Sequence, residues 1–290
     1  MSQTIKPQKP ILVAGGTGKT GRRLAQGLTA CGRDVRIGSR SAAIPFDWAD
    51  RSTWGAALDG ASAAYISYYP DLAAPGAPEE IAVFIDMALA RGVRRIALLS
   101  GRGEAEAQRS EDILKASGAD WTILRCGWFN QNFSESFLLD AVKAGVVALP
   151  VGDVREPFVD ADDIAEVAVA ALTQDGHVGQ LYELTGPRLL TFAEAVAEIT
   201  AASGHNVRFE PISPAAFSAR LTSEGLPDEM IALLMMLFTE VLDGRNAYPC
   251  DGVQRALGRA PKDFRDYARA AARSGAWSTV AEPVLVAADR

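Results

Sequence analysis

The sequence has few of the residues that metal sites, nucleophilic triads and disulfide frameworks need. Only two histidines, His177 and His205, and three cysteines, Cys31, Cys126 and Cys250, occur among 290 residues. The histidines lack ligand-spaced neighbours, and the cysteines lie far apart without a Cys-x-x-Cys pair. We therefore predict no metal site and no Ser-His-Asp triad, and we expect a reducing, cytoplasmic location.

Long basic runs and long apolar runs are also absent. Lysine and arginine never occur more than two in a row, and the formal net charge is -7. Nucleic-acid phosphates are neutralised by basic patches, so we predict no nucleic-acid partner. No apolar stretch reaches the ~20 residues of a membrane span. Residues 1–10 contain two lysines and two prolines but no apolar core of a secretory signal. We therefore expect a short flexible lead and no membrane partner.

A glycine-rich turn is the most informative stretch that is present. It follows the apolar run 11–14 and precedes a helix-like sequence, so it joins a buried strand to a helix. Gly16, Gly18 and Gly21 fit the spacing G-x-G-x-x-G, and Gly15 adds the frame G-x-x-G-x-x-G. Such glycines allow a tight turn, close backbone approach to a pyrophosphate and close helix packing. The phosphates then lie at the positive end of the helix dipole.

Two other interpretations of this turn are open from its residues alone. Glycine triplets also occur in loops that bind nothing. A P-loop would need glycine where the chain has Val13. A second strand, residues 34–40, begins one helix length later and completes a β-α-β unit, which favours dinucleotide binding. The predicted phosphate-binding residues are Gly15, Thr17, Gly18, Lys19, Thr20 and Gly21.

The second strand ends in Ser39-Arg40, without an acidic residue. At this place a carboxylate binds the free 2′-hydroxyl of an adenosine ribose, whereas a basic residue binds a 2′-phosphate. We therefore predict NADP(H) as the cofactor. The guanidinium group of Arg40 would pair with the phosphate, and Ser39 would donate a hydrogen bond. The alternative is that Arg40 is a solvated surface residue.

Further candidates lie at the carboxyl ends of later strands, where ligands of open α/β sheets bind. Asp47 and Trp48 are predicted to contact the adenine, although Asp47 also fits a turn. The other predicted cofactor residues are Ser67, Tyr68, Ser100, Gly101, Phe129 and Asn130. The catalytic candidates are Tyr68, Trp128, Phe129 and Asn130, because aromatic faces stack on planar rings and amides orient them.

The order of these patterns predicts an α/β fold, a doubly wound parallel sheet of the Rossmann type. Residues 1–155 are predicted to form the NADP-binding domain. Residues 156–290 are predicted to form a smaller mixed α/β substrate region, with residues near 160–186 returning to the main sheet. The sequence leaves a monomer and a homodimer equally open.

Three later segments carry more specific expectations. Residues 133–145 are predicted to form one apolar helix. The apolar segment 230–242 is predicted to be a core helix, with a pocket roof or a subunit interface as alternatives. The residues after the helix at 263–277 are expected to form a mobile tail.

Several motifs together resemble the NmrA-like family of atypical short-chain dehydrogenase/reductases. They are Gly-Gly-Thr-Gly-Lys-Thr-Gly-Arg at 15–22, Leu-Leu-Ser at 98–100, the stretch 117–125 followed by Trp-Phe-Asn-Gln-Asn at 128–132, Asp-Ile-Ala at 163–165 and Tyr-Glu-Leu-Thr-Gly at 182–186. The likeness spans nearly all of residues 10–277. It implies an NADP-preferring Rossmann domain with a small substrate domain. Family members include NADPH-dependent reductases of quinones and azo compounds, and catalytically silent sensors of the NADP/NADPH ratio.

The chain departs from common short-chain reductases in its proton-donating groups. None of its six tyrosines has a lysine four residues later, so Tyr-x-x-x-Lys is missing. Some NmrA-like proteins place a lysine or histidine early in the helix that precedes the Ser-Gly at 117–118. At that place this chain reads Glu-Ala-Glu-Ala-Gln-Arg, residues 104–109. The leading hypothesis is an NADPH-dependent reductase that transfers hydride to a small planar quinone, azo or imine acceptor. The alternative is a non-catalytic NADP(H) sensor that acts through a protein partner.

Overall fold

The computed structural model describes residues 8–278, so residues 1–7 of the predicted lead and residues 279–290 of the predicted tail lie outside it. Its largest sheet contains β1 (Ile11–Ala14), β2 (Val35–Gly38), β3 (Ala63–Ile66), β4 (Arg95–Gly101), β5 (Asp120–Cys126) and β8 (Gln180–Leu184). All six strands are parallel, in the order β2-β1-β3-β4-β5-β8. From β1 the chain first adds β2 on one side and then continues with β3, β4 and β5 on the other side. This reversal of the strand order between β1 and β3 confirms the predicted doubly wound fold.

Helices cover both faces of this sheet. One face carries α1 (Lys19–Ala30), α7 (Ala161–Thr173) and α11 (Gly252–Leu257), and the other carries α2 (Trp54–Leu58), α3 (Ala77–Ala90) and α4 (Ala105–Ala116). Successive side chains of a strand point to opposite faces. In β1, Ile11 and Val13 therefore pack in the core beneath α1 and α7, whereas Leu12 and Ala14 pack beneath α2, α3 and α4. This burial on both faces explains the continuous apolar run of β1.

A second group of elements, here named the second lobe, has its own core. It contains α5 (Asn132–Glu135), α6 (Leu139–Lys143), β6 (Val146–Leu149), β7 (Arg155–Glu156), β9 (Leu190–Thr191), α8 (Phe192–Ser203), β10 (Arg208–Pro211), α9 (Pro214–Ser223), α10 (Asp228–Met236) and α12 (Phe264–Arg273). β6 pairs with β10 in parallel, and β7 pairs with β9 in antiparallel orientation. Aromatic rings fill the centre: Phe158 lies 5.1 Å from Phe192 and 5.6 Å from Phe264, centroid to centroid.

The second lobe starts earlier in the chain than the division after residue 155 implies. Phe133 and Val147 belong to its core, together with residues from 190 onward. Between these two segments the chain returns to the main sheet with α7 and β8. The lobe is therefore assembled from two separate pieces of chain.

Two predicted helices differ from the structure. The single helix at 133–145 is two short helices, because Ser136 has an extended backbone between them. In an unbroken helix Phe133 and Phe137 would share one face. The break lets Phe133 enter the core while Phe137 stays 42% exposed. The predicted helix at 230–242 is α10 followed by one π-helical turn, Leu237–Val241.

Candidate functional site

A cleft of about 760 Å³ opens between the main sheet and the second lobe. Residues at or just after the carboxyl ends of β1, β2, β3, β4 and β5 form one side of it. Residues of α10 and of the loop after β5 form the opposite side. The cleft therefore lies where open parallel sheets bind their ligands.

The glycine-rich turn forms one end of the cleft. Gly15 has a φ of +78°, which favours glycine, and Gly18 is the N-cap of α1. No side chain caps α1 and no acidic residue lies in its first turn, so its first backbone N–H groups are left for a ligand. A Cβ at Gly21 would collide with the carbonyl oxygen of Gly15, so this third glycine permits close packing of helix on strand. These features fit the pyrophosphate of a dinucleotide.

The residues of the turn divide into those that reach the cleft and those that support it. Thr17, Gly18, Lys19 and Thr20 line the cleft, as does Gly15. Thr20 is buried, and its hydroxyl accepts a hydrogen bond from Tyr65 at 2.9 Å. Gly21 is not among the lining residues, so its role is in packing.

The predicted 2′-phosphate residues lie together at the rim of the cleft. Ser39 and Arg40 both line it, and Arg40 is exposed. Within residues 8–278, the guanidinium group of Arg40 has no hydrogen bond or ion pair, whereas the neighbouring Arg36 donates to the Ala57 carbonyl at 2.7 Å. Arg40 is therefore free to bind an anion.

Asp47 and Trp48, the two residues predicted to contact the adenine, both line the cleft. Asp47 lines the cleft, and its carboxylate accepts a hydrogen bond from Ala49 N–H at 3.1 Å. Trp48 is only 7% exposed, and its ring packs within a buried aromatic cluster whose other members are Phe46, Trp54, Tyr68 and Phe84. Its indole N–H donates to the Ser67 carbonyl at 3.0 Å. Trp48 nevertheless lines the cleft, so its contact with an adenine ring stays a prediction.

Ser67, Tyr68, Ser100 and Gly101 all line the cleft at the ends of β3 and β4, as predicted. The hydroxyl of Ser100 is nevertheless buried and donates to the Glu111 carboxylate at 2.7 Å. Arg125 donates to the same carboxylate at 2.8 Å. Ser100 therefore belongs to a buried polar network that ties β4, α4 and β5 together.

The loop after β5 reaches the cleft through three of its side chains. Trp128, Phe129 and Asn132 line the cleft. The ring of Trp128 packs against that of Phe238, with 4.8 Å between the ring centroids. Asn130 is fully buried outside the lining, and its side-chain N–H group donates to Asp160 at 3.4 Å. The predicted contact of Asn130 with the cofactor or acceptor is wrong, because the loop turns this amide inward and presents Asn132 instead.

The side of the cleft opposite the sheet carries a group of apolar residues. Met230, Leu233, Leu234 and Leu237 of the segment 230–242 line it, and the exposed Phe137 extends the same surface. We name this group of five residues the roof. The preferred assignment of 230–242 to the core alone is therefore wrong: Phe238 packs in the core of the second lobe while its neighbours face the cleft.

Several cleft residues were missed by sequence reasoning. Asp71, Arg102 and Glu104 line the cleft together with Asn246, whose side chain donates to the Arg102 carbonyl at 3.1 Å. Arg102 and Glu104 could have been predicted from their positions directly after β4, because the carboxyl ends of parallel strands face the ligand. Asn246 is far away in the sequence and gave no signal.

Three charged side chains lie near the glycine-rich turn: burial shifts the pKa of Lys19 and of Asp71, and Arg23 forms ion pairs. Burial lowers the pKa of Lys19, while Glu135 and Asp71 oppose that shift. Burial also raises the pKa of Asp71, while the Ala73 N–H group and Lys19 oppose the increase. Arg23 pairs with Glu135 at 2.7 Å and with Asp162 at 2.6 Å, which fixes α1 against α5 and α7.

Neither histidine lines the cleft. His177 lies 2.9 Å from the Tyr182 hydroxyl, and His205 lies 3.1 Å from the Lys143 carbonyl oxygen. Among residues 8–278 there is no group of three or more His, Cys, Asp or Glu residues placed to hold a metal ion. In the same part of the chain, no helix combines the length and the apolar character that a membrane crossing requires.

Comparison with known proteins identifies the family. A family model described as NAD(P)H-binding matches residues 15–175, more than half of the chain. The chain belongs to the NAD(P)H-binding family. Festuclavine dehydrogenase of Aspergillus fumigatus is 32% identical over 89% of this chain and 96% of its own length. NAD(P)H azoreductase of Xenophilus azovorans is 29% identical over 90% of this chain and 97% of its own.

A solved structure extends the likeness of this NAD(P)H-binding protein. The NADPH-dependent quinone oxidoreductase of Escherichia coli, complexed with NADPH, gives a TM-score of 0.72 at 23% identity, covering 89% of this chain and 98% of that chain. That likeness shows a shared fold. A solved NmrA structure shares the fold as well, with a TM-score of 0.66 at 17% identity. Together the matches confirm the predicted NmrA-like resemblance, and the chain is an NAD(P)H-binding oxidoreductase.

Proposed function

We propose that the protein is an NADPH-dependent reductase of a small planar acceptor of the quinone, azo or imine type. The observation that carries this proposal is the continuity of the cleft. The side formed by the sheet has an uncapped helix terminus and a free arginine, and the opposite side carries apolar residues of α10. Such a cleft suits a charged dinucleotide and an uncharged planar molecule held side by side.

The residues that would hold NADPH follow from this geometry. The N–H groups at the start of α1 would bind the pyrophosphate, and Ser39 with Arg40 would bind the 2′-phosphate. When bound, NADPH supplies the hydride. Tyr68 and Phe129 would enclose the reacting rings, and the roof would exclude water and orient the acceptor, since orientation in a dry site accelerates transfer.

The names of the relatives support this acceptor class. The azoreductase and the quinone oxidoreductase are named for planar conjugated acceptors. A non-catalytic sensor needs a cofactor site but no acceptor pocket. The apolar roof beside the cofactor end of the cleft therefore favours the reductase.

The preference for NADPH is tested by Arg40→Ala. Loss of a charged hydrogen bond costs about 1.5–3 kcal/mol, so NADPH affinity should fall about 10- to 150-fold while NADH affinity stays unchanged. Isothermal titration calorimetry with both cofactors measures this. Arg208→Ala, an exposed arginine of β10 outside the cleft, should bind like the wild type. Equal wild-type affinities for NADPH and NADH would contradict the preference.

The acceptor class is tested by NADPH oxidation with quinone, azo, imine and carbonyl compounds. We expect turnover with planar conjugated acceptors. Leu237→Asn, which makes the roof polar, should raise the KM for such acceptors at least about tenfold and leave the NADPH dissociation constant unchanged. Met236→Asn is the matched control, because Met236 is also half-buried but does not line the cleft. Normal NADPH binding without turnover of any acceptor would instead support the sensor.

A further inference from the structure

Glu104 occupies a distinctive place in the cleft. It lies between β4 and α4, at the point where the sheet faces the ligand, and it lines the cleft. Its carboxyl group packs over Gly101, where a Cβ would collide with both of its oxygens. In the part of the chain that the structure describes, this carboxyl group has no hydrogen bond or ion pair. Its oxygens are open to the cleft, whereas those of Glu156 are sealed in the protein without partners.

We propose that Glu104 is the catalytic residue that protonates the acceptor. This inference rests on the proposed reductase function and narrows the acceptor to an azo or imine group. The acceptor gains two electrons as hydride, on one nitrogen of an N=N bond or on the carbon of a C=N bond. The π-electron pair moves to the nitrogen that did not receive the hydride, and this nitrogen takes the proton as the O–H bond of Glu104 breaks. The carboxylate that remains is reprotonated by water through the open cleft.

The surroundings of Glu104 favour its protonated form. Burial raises its pKa well above the usual range, and the negative charges of Asp71 and Glu111 raise it further. A proton donor works best when its pKa lies near the working pH, and an unperturbed carboxyl group is too acidic for that. The groups that face this site are the carboxyl groups of Asp71 and Glu111, the Cys126 thiol, the Arg102 guanidinium and, beyond Asp71, the Lys19 ammonium.

Tyr68 is the competing donor, since it also lines the cleft and carries a hydroxyl group. Burial and the nearby Glu80 raise the pKa of Tyr68 above the ordinary phenol value. A phenol with a raised pKa is a weaker acid than a carboxyl group at neutral pH. The comparison of the two side chains therefore favours Glu104.

The first test compares two kinds of acceptor in the same variants. An azo or imine acceptor needs a proton as well as hydride, whereas a cationic triarylmethane dye is neutralised by hydride alone. Glu104→Gln should lower kcat for the azo or imine acceptor by about 10²- to 10⁴-fold and leave dye reduction and the NADPH dissociation constant within about threefold. Glu104→Asp should recover part of the lost rate. Glu156→Gln, the control carboxyl group outside the cleft, should react like the wild type.

A second test uses the pH dependence and the protein without cofactor. Because the acid form is needed, kcat/KM for the azo or imine acceptor should fall as pH rises through the pKa of Glu104. Glu104→Gln should lack this limb, and Glu156→Gln and Tyr68→Phe should keep it. Infrared difference spectra of the cofactor-free protein, wild type minus Glu104→Gln, should show a protonated carboxyl band at neutral pH.

The outcomes separate this inference from the proposed function. A wild type that reduces no acceptor refutes the reductase and Glu104 with it. An active wild type with an unchanged Glu104→Gln rate, or with the pH limb lost only in Tyr68→Phe, overturns the role of Glu104 alone. Equal losses with the dye and the azo acceptor would show a structural role instead. If the wild type does not reduce the dye, the pH limb and the infrared band decide.

Discussion

Replacing Gly18 by valine is expected to abolish NADPH binding and leave the fold intact. Gly18 has a φ of -73° and a ψ of 177°, which valine adopts without strain. A Cβ there would meet only the Gly15 carbonyl oxygen, at 3.2 Å. The larger side chain would nevertheless cover the N–H groups at the start of α1. Losing charged hydrogen bonds of about 1.5–3 kcal/mol each should weaken binding about 100-fold or more. Fluorescence titration with NADPH measures the loss.

The control for this variant is Gly152→Val. Gly152 is exposed, lies outside the cleft and has open space around a Cβ. Both variants should show the circular dichroism spectrum and the melting temperature of the wild type. A folded Gly18→Val protein with normal NADPH affinity would show that the glycine-rich turn only shapes the chain.

Glu111→Gln should produce the largest loss of stability, about 3–5 kcal/mol in the free energy of unfolding. Glu111 is fully buried and accepts hydrogen bonds from Ser100 at 2.7 Å and from Arg125 at 2.8 Å. Without the Glu111 charge, the largely buried Arg125 keeps only the more distant Glu183 carboxylate, at 3.3 Å, which is the reason for the large cost. Urea denaturation should show a lower midpoint with an unchanged m-value.

An exposed ion pair provides the comparison for Glu111. Glu224 pairs with Arg220 at 2.7 Å on the surface of α9, so Glu224→Gln should cost no more than about 0.5 kcal/mol. The double variant Glu111→Leu/Arg125→Met should be more stable than Glu111→Gln, because it removes both charges together. A loss below about 1 kcal/mol in Glu111→Gln would contradict the importance of the buried network.

The sequence predicted the cofactor end of the cleft well because its signals are local. The strand, the glycine-rich turn and the helix are consecutive, and Arg40 lies at a strand end whose direction follows from the β-α-β unit. Parallel strands then bring several carboxyl ends to one edge, so Tyr68, Gly101 and Phe129 were placed at the cleft from their positions alone.

The errors arose where tertiary packing decides which way a side chain points. Asn130 and Asn132 are equivalent in the sequence pattern, and only the path of the loop buries the first and exposes the second to the cleft. Asp71 and Glu104 meet through the pairing of β3 with β4, which no local pattern records.

The two-piece construction of the second lobe limits how a new acceptor range can be built. A chimera joined at one point would take Phe133 from one parent and Phe192 from the other, although these rings pack in the same core. An intact lobe can be transplanted only by exchanging residues 132–158 and residues 190–277 together, because Phe158 belongs to the same core. Single substitutions along α10 avoid that problem, because Leu233 and Leu234 line the cleft and can be changed without joining two parent chains. Point-by-point diversification of α10 is therefore the direct route to new substrates.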